Sequence, residues 1–305
     1  MNPALVALVL WTSAPGSAEA ALLTAAAASG RPPECAPAFA AGSQEPVGAS
    51  VWGRIRVVGL DRYCAALARG HARLSFDPAA ALDAAKQADE ALGGRAAPLV
   101  LRARAVLAQG DLDEALRLFE RARKLEPHSV EQPAALHDLA TVLRRAGKLR
   151  AARDAYRLLV PRAAMLPSRA DRAAAMLEAA HVSLALHLEG GSPEMLNEAM
   201  AYLREAGRDR HHPYRVDVAL SLALCLDRAG RAELADAVVA ELSTSAHWAE
   251  HKPAPYLARS ADELALRALA LERRQPRDAA RLWQRFVALP DTTGAAKEAA
   301  AARLE

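Results

Sequence analysis

The chain has 305 residues, of which 52% are apolar but only 4% aromatic, and its net charge is +3. Ala and Leu supply the apolar fraction, whereas a mainly β protein would draw on Val, Ile, Thr and aromatics. Arg is interleaved with Asp and Glu and no basic stripe occurs, which excludes a nucleic-acid surface; the chain after about Asp61 reads as all-α.

Residues 1–20 read as a secretory signal. An uncharged apolar run over 4–11 is followed by Pro15-Gly16 and then by Ala18-Glu19-Ala20, a small-x-small cleavage site. No Lys or Arg precedes the run, so the alternative is a first helix. The run is too short to span a bilayer, which takes about 20 residues. Residues 21–59 read as a low-charge linker or an N-terminal cap. Within them 51–58 alternates like a strand (Val51, Gly53, Ile55, Val57), although one strand without partners is not stable. Cys35 and Cys64 bracket this stretch. In an oxidising compartment they would staple it to the first helix pair; otherwise both thiols are free. Cys225, among Leu222, Leu224 and Leu226, reads as a small buried hydrophobe.

Over 60–290 one phrase recurs about every 30 to 45 residues, the mark of a helical repeat. A degenerate pair opens the series, with a first helix over 60–71 and a second starting at Asp77-Pro78, an N-cap followed by Pro at the first helical position. The clearest copy occupies 110–127. There Gly110 ends one helix, Asp111 caps the next, and Ala115 stands where the two cross. Leu112, Leu116 and Phe119 with Ala122 form the apolar stripe, and Pro127 stops the second helix. A second copy has Ala140, Gly147, Ala152 and Tyr156. Another carries Ala199, Leu203 and Ala206 after an extended turn in which Ser192 reads as an N-cap. A further one has Ala223, Gly230, Ala235 and Val239, with no aromatic. The last pair starts at Ser260-Ala261-Asp262-Glu263, read as a capping box, and packs through Ala279, Trp283 and Phe286. The 291–305 tail reads as a frayed Ala-rich helix.

The order small residue, turn Gly, small residue, aromatic, small residue, Pro at Ala103, Gly110, Ala115, Phe119, Ala122 and Pro127 resembles the tetratricopeptide repeat. The resemblance implies a right-handed α-α superhelical solenoid of about six antiparallel pairs, whose first helices line a concave groove that takes peptides or partner helices. Chaperone-binding members use Lys and Asn in that groove to clamp a carboxylate. At the matching places this chain has Val100, His137 and Leu220, then Arg104, Thr141 and Leu224, so the clamp is missing. Leu220 and Leu224 also fit a core. Arg104, Arg144 and Arg145, with His137 and Thr141, are the groove candidates, and the three arginines would favour an acidic partner segment.

Two motifs invite chemistry. His247-Trp248-Ala249-Glu250-His251 has the H-x-x-E-H spacing of a zinc protease, in which two His at i and i+4 share a helix face and Glu250 serves as base. It falls between Ser243-Thr244-Ser245 and Lys252-Pro253, which reads as an inter-repeat linker, and too little chain follows to supply the third ligand. His211-His212-Pro213 reads as a solvated turn. No catalytic residue, cofactor or metal is assigned. The expectation is a non-enzymatic scaffold for a protein or peptide partner, exported to a bacterial periplasm or surface, because high Ala and Arg look like a GC-rich bacterial genome. The alternative is a cytoplasmic ligand-sensing module.

Overall fold

A computed structural model of the chain describes Cys35 and residues 59–190, 192–209, 211–243, 256–290, 292 and 294–304. The expected signal at 1–20, the linker apart from Cys35 and Gly59, and the 247–251 motif lie outside the described residues.

The described residues form six helix pairs and one closing helix, with no strand among them. The pairs are α1 (Leu60–Arg73) with α2 (Pro78–Ala91), α3 (Ala96–Ala108) with α4 (Leu112–Leu125), and α5 (Pro133–Arg145) with α6 (Leu149–Leu159). They continue as α7 (Arg169–Leu188) with α8 (Pro193–Arg208), α9 (Arg215–Arg228) with α10 (Ala232–Ser243), and α11 (Ala261–Leu271) with α12 (Pro276–Val287). Helix α13 (Gly294–Ala302) closes the stack.

Local chemistry explains the helix ends. Gly110 has φ 92° and Gly147 φ 71°, a left-handed conformation that costs a glycine little. At each, two amides fold back onto the preceding helix: Gly110 N to Leu107 O and Asp111 N to Val106 O, then Gly147 N to Arg144 O and Lys148 N to Leu143 O. This is the Schellman end, which satisfies otherwise orphaned carbonyls. Gly230 N and Arg231 N repeat it on Asp227 O and Leu226 O. Asp77 Oδ1 accepts from Ala80 N at 3.0 Å and Asp111 Oδ1 from Glu114 N at 3.1 Å, so both aspartates cap as expected. Ser260 does not: its backbone is already helical (φ −63°, ψ −29°), and its side chain caps nothing. The capping box stands instead at Ser168 and Asp171, where each side chain accepts from the other's backbone amide. Ser192 takes the N-cap position of α8 but makes no side-chain cap bond.

Small residues set the spacing within pairs. Ala103, Ala115, Ala122, Ala152 and Ala235 are fully buried, so the helix backbones approach closely, and Phe119, Tyr156 and Trp283 fill the gaps beside them. Pro127 opens a single 3-10 turn, Pro127–Val130, and remains exposed. Cys225 is buried and free; burial pushes its thiol up to about 12. Cys35 and Cys64 are disulfide-bonded, with Cα atoms 5.6 Å apart, and both sit in the core of the first pair beside Tyr63 and Leu67.

The tail is not frayed. Ala296 and Ala300 are buried against the last pairs, because a stripe of methyl groups lets α13 lie close. Arg303 then binds Asp227 at 2.8 Å, Asp236 at 2.6 Å and Glu272 at 2.9 Å, tying the chain's end to α9, α10 and the start of the α11–α12 turn. Along the stack each first helix packs on the next first helix, α1 on α3, α3 on α5, and so on to α9 on α11. That shared face is the inside of the stack. No helix among the described residues is long and apolar enough to cross a membrane.

Candidate functional site

The inside face opens into a groove of about 550 Å³ over α1, α3, α5 and the start of α7. Leu74, Leu107, Leu166 and Pro167 give it apolar walls. Its polar lining comes from His71 on α1, Arg104 on α3, His137 and Asp138 on α5 and Asp171 on α7. Helical spacing produces this convergence, since each residue stands on the face that its helix turns inward.

The polar groups are paired in sequence. Asp138 Oδ2 accepts from Arg104 Nε, and Arg104 Nη1 lies 3.4 Å from His71 Nδ1. Burial and the adjacent guanidinium push the His71 imidazole down to about 3, so it stays neutral. Beneath the groove Glu178 of α7 forms a hub. Its Oε2 accepts from Tyr156 Oη at 2.6 Å and Thr141 Oγ at 2.8 Å and lies 3.1 Å from His137 Nε2; its Oε1 accepts from Arg144 Nη2 at 3.2 Å. Burial alone would raise this carboxyl, but the bond and charge of His137, the charge of Arg144 and the Tyr156 hydroxyl hold it down at about 2. For His137 burial disfavours the charged form, and Glu178, with Asp138 and Asp171, outweighs it, so the imidazole is raised.

The five expected groove residues therefore separate. Arg104 and His137 line the groove. Thr141 and Arg144 serve the hub beneath it, and Arg145 is exposed outside the lining. The expectation of a basic end is corrected. Arg144 is only 4% exposed and its charge is met by Glu178, while the charge of Arg104 is met by Asp138. Val100, Leu220 and Leu224 are core residues. His212 is not solvated as expected: it is buried, with Nε2 3.1 Å from Ala206 O and Nδ1 accepting from Tyr214 N, so it shapes the turn before α9. No group of three or more His, Cys, Asp or Glu able to hold a metal occurs among the described residues.

The residues missed by sequence reasoning are His71, Asp138, Asp171 and Glu178. Glu178 had a visible signal. It is a lone charge inside Leu177-Glu178-Ala179-Ala180, and a charge in an apolar run needs buried partners.

Over α3–α6 and their flanks, residues 94–163 match the family model of the tetratricopeptide repeat. This segment is similar to the tetratricopeptide repeat. It contains the two copies with the clearest glycine turns and includes three of the groove's polar residues, Arg104, His137 and Asp138. Among solved structures the chain is similar to YrrB, a TPR protein described as having an unusual peptide-binding site. They share 16% identity at a TM-score of 0.44, over 72% of this chain and 98% of that one. It is also similar to the TPR domain of P58(IPK), with 14% identity and a TM-score of 0.33 over 93% of this chain and 78% of that one. None of the curated proteins matches the chain in sequence.

Proposed function

We propose that this protein is a non-enzymatic interaction scaffold that holds a segment of a partner protein in the groove over α1, α3, α5 and the start of α7. One observation carries the reading: a groove of about 550 Å³, walled by Leu74, Leu107, Leu166 and Pro167 and crossed by the Arg104–Asp138 pair, lies on the face that successive first helices share. Apolar walls with a few converging polar groups suit a peptide with one or two side-chain anchors. The pairing of its charges favours an anchor of mixed apolar and hydrogen-bonding character over a run of acidic residues.

We further propose that the scaffold is exported to a bacterial envelope. The apolar run at 4–11 with Ala18-Glu19-Ala20 supports this reading, as does the Cys35–Cys64 bond, because such bonds persist in oxidising compartments. N-terminal sequencing of the native protein tests export; a chain beginning at Met1 would refute it.

The groove is tested by placing a photo-crosslinking residue at Ala134, in the lining, and at the exposed Leu158 of α6 as a control. The expected result is one adduct at Ala134, lost when Ala108→Trp fills the groove. Equal labelling from Leu158, or an adduct indifferent to Ala108→Trp, would overturn the reading.

A further inference from the structure

The inner face is not open along its whole length. Tyr256, Leu257 and Ala258, just before α11, lie on it over α5, α7 and α9. The Leu257 carbonyl accepts from Arg144 Nη1 at 2.8 Å, across 113 residues of sequence. Tyr256 is 4% exposed; its ring stands 5.1 Å from that of His181 on α7, and its hydroxyl donates to Asp217 on α9. Ala258 packs against the core built from α3 to α7, whereas Tyr256 belongs to the core built from α7 to α13. Arg144 lies two turns along α5 from His137, so this contact begins about 10 Å from the groove lining.

These contacts have the form of a bound peptide. A main-chain carbonyl is held by a guanidinium, an aromatic ring enters an apolar hole with its hydroxyl satisfied, and a small residue follows. Two of the receiving groups, Arg144 and His181, have partners besides the segment. Arg144 is positioned by Glu178, which Tyr156, Thr141 and His137 fix in turn, and His181 is held by Ser221 at 2.9 Å.

We propose that residues 256–258 are an internal occupant of a second peptide subsite on the inner face, which takes from a partner a segment of the same chemistry: tyrosine, then an aliphatic residue, then a small one. This rests on the reading that the inner face receives a partner segment, and extends it to the part over α5, α7 and α9. The partner's tyrosine replaces Tyr256 over His181 and Asp217 as its following carbonyl replaces Leu257 on Arg144. A scaffold with both sites filled therefore carries its own segment displaced.

The test uses the full chain and a fluorescent peptide, Ala-Pro-Tyr-Leu-Ala-Arg, copied from residues 254–259. Tyr256→Ala vacates the ring site, and circular dichroism checks that the variant is folded. Anisotropy is expected to show the peptide binding Tyr256→Ala about tenfold or more tighter than wild type, from the aromatic burial regained. Replacing the peptide's tyrosine by phenylalanine should weaken binding several-fold, and replacing it by alanine should abolish it. Should Tyr256→Ala fail to fold, Tyr256→Phe releases only the hydroxyl, and the tyrosine peptide should then gain about threefold over wild type. A folded variant that binds the tyrosine peptide no better than wild type does, or no better than it binds the alanine peptide, overturns the proposal. The two readings fail separately. Loss of peptide binding with the Ala134 adduct retained removes only the internal occupant, and loss of the adduct with peptide binding retained removes only the groove.

Discussion

Replacing Glu178 by Gln keeps the shape of the hub and removes its charge. The carboxyl falls from its ordinary value of 4.5 to about 2 on folding, and at about 1.4 kcal/mol per tenfold change in proton affinity this is worth about 3 kcal/mol at pH 7. Removing one partner of a buried ion pair leads independently to about 3 to 5 kcal/mol, because Arg144 is left charged in the interior. The sign follows from the depression. The stabilisation is fully present above pH 4.5 and is lost as pH falls towards 2, so at pH 3 only about 1 kcal/mol remains. Thermal melts of wild type and Glu178→Gln should therefore differ by roughly 6 to 12 °C at pH 7. The gap should close to about a third of that at pH 3. A gap under about 2 °C at pH 7, or one of equal size at both pH values, would refute the hub as a charge-bearing element.

Three further outcomes are expected. Gly70→Ala should lower the melting temperature although alanine is the better helix former by about 1 kcal/mol. The new Cβ would collide with Leu101 Cδ2 and meet Ala84 Cβ at 3.2 Å, and overpacking costs about 1 to 3 kcal/mol; a rise in melting temperature would sink the packing argument. Thiol titration of the folded, non-reduced protein should find no reactive cysteine, then one (Cys225) after denaturation and three after reduction. Three thiols on denaturation alone would be inconsistent with the Cys35–Cys64 bond and one free cysteine. Arg303→Ala should speed amide exchange over 294–302 roughly 30- to 150-fold, the equivalent of losing about 2 to 3 kcal/mol of charged hydrogen bonds. Unchanged protection there would mean that Ala296 and Ala300 alone hold α13.

The repeat architecture was legible because its punctuation is local. Gly110, Gly147 and Gly230 sit two positions past a helix end, and Asp77 and Asp111 sit one position before a helix start, so a few neighbouring residues decide each boundary. Local reading failed where a distant partner decides. Ser260 has the composition of a capping box, but the chain enters α11 already in helical conformation, so the side chain has no cap position to fill. Arg144 and Arg104 look like neighbouring groove cations one repeat apart. One is buried against Glu178, 34 residues on, and the other is paired with Asp138, so neither offers the free charge that the pattern implied. The Ala-rich tail looked frayed because alanine carries no packing signal, and its anchor, Arg303, finds its acids on three other helices or turns. The groove's location followed from the repeat; its charge balance did not.

The bond between Arg144 and Leu257 has a consequence for how this array comes apart. A linear stack lends each unit support from its immediate neighbours only, so its ends open independently and melting spreads piecemeal. Here the third pair grips the chain just ahead of the sixth, 113 residues on, while Arg303 reaches 76 residues back to Asp227. Each link makes the units between its ends share one fate. While the Arg144–Leu257 bond is made, loosening the middle of the molecule also costs the contact with the far end, so the ladder resists opening one rung at a time.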